Sequence, residues 1–243
     1  MEKQELTIPV SKAIIYGALI IALVIGGSYA FERHYVDKNM PALVKKAIQD
    51  LTPNPENVSP VTTSDHVLGD PKAPVSLIVF TDLECPFCKT FHQSIEGLKD
   101  NYIKDGKIAV IYRNMPLDGL HTKARSEAIA SECVAKLGGN SQYWAFVDKI
   151  FANTPSNDGL DQSKLPVFAS EVGINQSAFA SCLKDKAVAD KVAAQEADGQ
   201  KAGAQGTPYP IVLLGGEVKG ALPGALPTDQ LKKMVDDLTA KKS

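Results

Sequence analysis

The chain has 243 residues, 44% hydrophobic and 22% charged, with a formal net charge of -2 at pH 7. That length suits one large domain or two small ones and excludes a disordered or collagen-like chain. The near-neutral balance offers no whole-chain attraction for phosphate and speaks against nucleic acid as a partner, and four cysteines are too few to staple a chain this long.

Ala13 to Phe31 reads AIIYGALIIALVIGGSYAF, 19 residues without a charge. At about 1.5 Å per residue it spans roughly 28 Å, close to the ~30 Å hydrocarbon core of a bilayer. It is predicted to be an uncleaved transmembrane anchor, with residues 1–12 as a cytoplasmic N-terminus. Two alternatives stand beside it. A cleavable signal peptide would use Lys3 and Lys12 ahead of the apolar run and Ser28-Tyr29-Ala30 as a small-x-small site, but the run is longer than the usual ~7 to 15 residues. A buried core helix would show a polar stripe, and none is present. Glu2, Lys3, Glu5 and Lys12 cancel, and Arg33, Lys38, Lys45 and Lys46 follow the span, so charge does not fix the orientation. A single early span before one large polar domain delivers that domain outside the cytoplasm.

Residues 32–60 read as stalk and linker, ending in TPNPENVSP. A globular domain is expected from Val61 to the C-terminus. Val75 to Phe80, VSLIVF, is a continuous apolar run that predicts a buried strand. From Pro86, the residues Phe87, Phe91, Ile95 and Leu98 recur at helical spacing, with Pro86 at the first helical position and Cys85 as N-cap. Lys107 to Arg113 is the second predicted strand, and strand-helix-strand makes a βαβ unit with parallel pairing. Residues 116–203 read as a helical insertion, with helices predicted over Thr122 to Leu137, Gln142 to Phe151, Leu160 to Val172 and Gln176 to Gln200. Tyr143, Trp144 and Phe146 are expected in the core. Ile211 to Leu214, Gly215-Gly216 and Glu217 to Lys219 form a hairpin pattern, and Thr228 to Ala240 is an amphipathic closing helix. Lys232, Lys233, Lys241 and Lys242 read as a solvated face.

The chemistry sits at Cys85-Pro86-Phe87-Cys88, where a strand hands over to a helix. Two thiols two residues apart on a first helical turn can close a small disulfide ring. The thiolate is the reactive species, and at a free pKa near 8.5 only about 3% of a thiol is ionised at pH 7. Unpaired N–H groups and the positive end of the helix dipole face an N-terminal sulfur, and C-x-x-C thiols reach roughly 3.5 to 7. Stabilising that thiolate makes the disulfide a stronger oxidant. Cys85 is therefore expected to be the exposed, attackable sulfur. Cys88 lies one turn in on the apolar side with His92 and Ile95, and is expected to be buried, neutral and the resolving thiol. Cys85, Cys88 and His92 can also be read as three zinc ligands, but no second C-x-x-C completes the set, and no metal is expected.

The segment GDPKAPVSLIVFTDLECPFCKTFH resembles the active-site segment of DsbA-like thioredoxin-fold proteins, and the similarity runs from about residue 61 to the C-terminus. The resemblance implies an α/β thioredoxin-like fold with helices inserted after the second strand. It places the two redox cysteines on Cys85 and Cys88, a cis-proline facing them on Pro208, and on Thr207 the backbone that pairs with a bound chain. On residues alone Pro208 is an ordinary turn proline. An acidic residue common in the family six positions before the first cysteine is Val79 here. Asp82 and Glu84 lie nearer the motif and read either as functional acids or as plain surface charges. Cys133 and Cys182 each sit on the apolar stripe of an inserted helix, at positions resembling cysteines frequent in the family. The resemblance implies a structural disulfide between them, with two buried free thiols as the alternative.

The expected function is an anchored, extracytoplasmic protein disulfide oxidoreductase needing no cofactor. It would introduce disulfides into translocated proteins with free thiols, gripping them around Pro86, Phe87 and Thr207, and would be reoxidised by a membrane-bound partner. Alternatives are a reductase or isomerase of the same fold, a metal-binding module, and an anchored chaperone.

Overall fold

The computed structural model describes residues 54–240. The predicted anchor Ala13–Phe31, the N-terminus before it and most of the stalk lie outside the described residues. No helix among the described residues is long and apolar enough to cross a membrane.

Five strands form one sheet: β1 (His66–Leu68), β2 (Val75–Thr81), β3 (Ile108–Asn114), β4 (Tyr209–Leu214) and β5 (Glu217–Ala221), in the order β1-β3-β2-β4-β5. β2 and β3 run parallel, joined through helix α1 (Pro86–Glu96), as the strand-helix-strand pattern predicts. The other neighbours are antiparallel, and Gly215-Gly216 turns β4 into β5 with positive φ at both residues, a conformation glycine enters without penalty.

The sheet is covered on both faces, which is why its central strands read as unbroken apolar runs. Val75, Leu77 and Val79 of β2 join Ile108, Val110 and Tyr112 of β3 in the larger core, against Cys88, Phe91 and Ile95 of α1. The alternate residues Ile78, Phe80, Ile111, Ile211 and Leu213 face a second core on the opposite side. Parallel register sets Val79 beside Tyr112 on the face of the sheet that packs against α1.

Between β3 and β4 the chain makes five helices: α2 (Ala124–Gly138), α3 (Asn140–Asn153), α4 (Lys164–Glu171), α5 (Gln176–Cys182) and α6 (Lys186–Lys201). The last element is α7 (Thr228–Ala240). Tyr143, Trp144 and Phe146 of α3 are buried. Helix α6 returns to the sheet so closely at Gly199 that an added Cβ would stand 2.8 Å from the Phe80 ring.

Three features differ from the sequence reading. The helix expected over Gln176 to Gln200 is two helices, because the Asp185 carboxylate caps α6 by accepting the Ala187 N–H at 2.9 Å. Strand β1 precedes the two predicted core strands, so the insertion follows the third strand of the sheet; three residues are too few to show a period of two. The packed chain also starts before Val61: Val58 joins the second core, and Arg113 donates to the Ser59 and Pro60 carbonyls at 2.8 and 3.1 Å while pairing with Asp65 and Asp198.

Cys133 of α2 and Cys182 of α5 are joined by a disulfide across 49 residues of sequence. Both half-cystines are buried, Cys133 completely. Replacing both by alanine is expected to lower the unfolding free energy by about 2 to 4 kcal/mol, measured by urea denaturation, while leaving thiol exchange at Cys85 intact.

Candidate functional site

The site forms where β2 leaves the sheet. Cys85 caps α1 in an extended conformation with Pro86 as the first helical residue, so the missing proline N–H falls where no helical acceptor exists. Facing it across the sheet end is Thr207-Pro208, a cis peptide that leads directly into β4. Thr207 and Pro208 are thus 122 and more residues from Cys85 in sequence, yet the Cys85 thiol reaches the Thr207 carbonyl at 3.4 Å.

Cys85 is 4% exposed. The open sulfur expected from the sequence is instead covered, because the Thr207 segment lies over it. What faces solvent is Phe87, 66% exposed on the first turn of α1. Cys88 is 1% exposed and packs into the larger core.

The two sulfurs are treated oppositely. The Cys85 thiol is pulled down to about 6, chiefly because Cys88 donates to it. Burial works against that shift, and the Cys88 N–H, the Thr207 hydroxyl and the Phe87 N–H reinforce it. The Thr207 Oγ1 is buried beside both sulfurs and makes no hydrogen bond to any nitrogen or oxygen among the described residues. The Cys88 thiol is driven upward, first by burial and then by its hydrogen bond to Cys85 and that neighbour's charge. Its sulfur also accepts the Asp82 N–H at 3.4 Å, too weak a contact to reverse the burial.

Asp82 and Glu84 are not surface charges: they are 1% and 0% exposed. Asp82 accepts the Glu84 N–H at 2.8 Å, the Leu117 N–H at 2.8 Å and His121 Nδ1 at 3.0 Å. The burial of His121 opposes protonation, but its bond to Asp82 and that carboxylate's charge win, raising its pKa; the Cys85 charge adds to the effect. Glu84 accepts the Gly159 and Leu160 N–H groups at 3.2 and 3.3 Å, and its own carbonyl accepts the Asn157 N–H at 2.8 Å. Beside it Glu127 of α2 is fully buried and pushed up to about 9 by burial and by Glu84, so Glu127 holds a proton at neutral pH.

These acids fasten the redox segment to the insertion. The loop they hold carries three successive non-glycine residues at positive φ, Ser156, Asn157 and Asp158, each costing roughly 1 to 2 kcal/mol. Asp158 returns part of that by accepting the Thr122 and Lys123 N–H groups at 3.0 and 2.8 Å. Sequence reasoning missed His121, Glu127 and this loop. Two acids within four residues at the end of an apolar strand were the available signal, since a buried charge requires partners.

His92 does not join the two thiols. Its ring nitrogens lie 3.1 Å from the Tyr112 hydroxyl and 3.0 Å from Asp148 Oδ1. His92, Glu96 and Asp148 could offer a metal three donors, but the Lys99 ammonium already sits 2.5 Å from Glu96 and 3.3 Å from Asp148.

In the reduced protein, alkylation by iodoacetamide is expected to titrate at Cys85 with an inflection near pH 6, with Cys88 unreactive across the same range. Peptide mapping of the modified sulfur reads the result, and an inflection at the ordinary thiol value of about 8.5 would contradict it.

The thioredoxin family model matches residues 61–237. The chain is 28% identical over 185 residues to a probable disulfide bond formation protein D of Bacillus anthracis, covering 72% of this chain and 78% of that protein. It is 30% identical over 115 residues to a Na(+)/H(+) antiporter NhaA 1 of Mycolicibacterium gilvum, covering 47% of this chain and 17% of that protein. The chain therefore spans under a fifth of the length of that antiporter. The crystal structure of Wolbachia pipientis alpha-DsbA1 superimposes with a TM-score of 0.65 at 27% identity, covering 74% of this chain and 94% of that one. With a C-x-x-C capping the helix after a central strand and a cis-proline facing it, the chain belongs to the thioredoxin family, and in sequence and fold it is similar to the disulfide bond formation protein and the DsbA structure just described.

Proposed function

We propose that this domain donates its Cys85–Cys88 disulfide to proteins with free thiols, outside the cytoplasm, tethered by the apolar segment Ala13 to Phe31. The observation that carries this reading is the unequal treatment of the two sulfurs. A Cys85 thiol near 6 is largely ionised at neutral pH, so the reduced protein is favoured and the disulfide is driven to give itself away.

A substrate thiolate attacks Cys85 Sγ, the 85–88 bond breaks, and Cys88 leaves with the electron pair. A second substrate thiolate then displaces Cys85, which leaves readily because its anion is stabilised. The products are a substrate disulfide and the reduced domain, which a membrane-bound oxidant would return to the disulfide. Exposed Phe87, with Pro86 beside it, supplies apolar contact to an unfolded chain, and the Thr207 backbone lies next to the sulfur under attack. The disulfide between Cys133 and Cys182 supports an oxidising compartment.

Equilibration of the full chain with glutathione buffers tests the direction. A potential near -120 mV is expected for a donor, and one near -270 mV would make the domain a reductant instead. The same asymmetry has a pH signature. Folding lowers the Cys85 pKa from roughly 8.5 to about 6. The stability this adds to the reduced form is fully present above the unfolded value and is lost as pH falls through about 6. Thermal melts are expected to show the reduced form outlasting the oxidised form at pH 8, with the gap narrowing steadily toward pH 5.

A further inference from the structure

Asp82 is the first residue after β2, and its main chain touches both cysteines. Its N–H reaches Cys88 Sγ at 3.4 Å, and its carbonyl accepts the Cys85 N–H at 3.2 Å. Its buried carboxylate is held at both oxygens. Oδ1 accepts the Glu84 N–H, while Oδ2 accepts the Leu117 N–H and faces His121 Nδ1. The turn from Leu117 to His121, closed by the His121 N–H on the Leu117 carbonyl at 2.8 Å, sets both donors on one oxygen.

Thiol exchange brings negative charge to this spot. A substrate thiolate bonds to Cys85 Sγ, the 85–88 bond breaks, and the electron pair goes to Cys88, so one unit of charge enters the core from outside. A second substrate thiolate then displaces Cys85 as an anion, and a proton from solvent neutralises Cys88. An unbalanced buried carboxylate on the residue that touches both cysteines would oppose each of these steps.

We propose that His121 is a positioning residue for thiol exchange, acting through Asp82: it anchors the turn that meets both cysteines and balances the Asp82 charge against the thiolates that form there. The proposal rests on the dithiol chemistry above but not on its direction.

The imidazole is buried 3.0 Å from a carboxylate that is itself buried, so solvent and salt screen the pair little. Burial of the ring opposes its charge, and the bond to Asp82 outweighs that burial. Besides Asp82, the ring meets the Asn157 side chain and the charges of Cys85 and Asp158. Glu84 and Glu127 stand on the far side of Asp82, and Glu127 is neutralised by its own proton. The neighbouring lysines are committed to carbonyls, Lys89 to that of Thr154 at 2.6 Å and Lys123 to those of Asp158 and Leu160 at 2.6 and 2.9 Å. At Cys88 the other polar neighbours are Cys85 and the Thr207 hydroxyl, a neutral donor that offsets no charge. The cation that meets Asp82 is therefore His121.

Charge and geometry can be separated at this residue. A neutral histidine with its proton on Nδ1 still donates to the carboxylate, so deprotonation removes the charge and keeps the hydrogen bond. Asparagine does the same, because its amide nitrogen falls near the Nδ1 position. The coupling is reciprocal: an imidazolium that favours thiolate is favoured by thiolate to the same extent.

The test uses the full chain in detergent. NMR titration of isotope-labelled histidine, assigned through the backbone, is expected to show His121 keeping its proton to higher pH in the reduced protein than in the oxidised one. Identical titration in the two states would overturn the proposal, and this measurement needs no variant. His121→Asn is expected to move the ionisation of Cys85, read by thiolate ultraviolet absorbance, upward by about one pH unit. Opening of the 85–88 bond by glutathione thiolate should slow roughly tenfold, and the glutathione equilibrium at pH 7 should shift about fivefold toward the oxidised domain. A variant that loses stability to urea while its Cys85 titration and its equilibrium stay at the wild-type values would reduce His121 to a structural role and overturn the proposal. A wild-type protein in which neither cysteine exchanges with glutathione would instead sink the oxidoreductase reading, and the role of His121 with it.

Discussion

The convergence of donors on the Cys85 sulfur is the interaction on which the rest of this structure depends. Any α-helix leaves its first N–H groups without partners. Here Cys85 occupies the cap, Pro86 removes one N–H, and those of Phe87 and Cys88 remain for the sulfur. The strand-to-helix handover thus creates an anion site before any side chain is added. Thr207, brought in from the far side of the insertion by the pairing of β2 with β4, adds a hydroxyl to it. The sheet topology therefore matters chemically: β4 must lie next to β2 for the two ends of the domain to share one sulfur.

An anion site at the rim of an apolar core leaves the neighbouring chain no solvent to lean on. Asp82 and Glu84 are drawn inward with the turn, and each takes partners from the insertion: Leu117 and His121 for Asp82, Gly159 and Leu160 for Glu84. Glu127, which meets the Gln162 amide and no cation among the described residues, stays protonated against Glu84. Breaking one of these pairs would strand a buried charge, typically a loss of about 3 to 5 kcal/mol. The insertion is consequently tied to the redox segment itself and not only to the sheet, and the left-handed residues 156–158 are tolerated because that tie over-determines their conformation.

Much of this was legible in the sequence because it obeys local rules. The apolar run of β2, the helical period of α1, Pro86 at its first position and the double-glycine hairpin each state their own conformation. The covering of Cys85 was not legible, since the covering group is a carbonyl at position 207 and distance along the chain gives no contact. The sequence left Asp82 and Glu84 open between functional acids and surface charges, because most of their partners are backbone amides, which carry no sequence signature, and His121 lies 39 residues away. The break at Asp185 shows a different limit. A helical period continues through it, and only the capping preference of an aspartate marks the interruption.

His92 shows how one helical period can serve two ends. The four-residue step that places it on the face of Cys88 made a zinc ligand set conceivable from sequence. In the fold the same step carries the imidazole a full turn away from the sulfurs, about 6 Å along the axis, toward Tyr112 and the α3 surface. The polar groups nearest Cys88 come instead from the turn before α1 and from the segment facing it, the Asp82 N–H at 3.4 Å and the Thr207 hydroxyl. Keeping one sulfur anionic in a dry site makes the other hard to ionise.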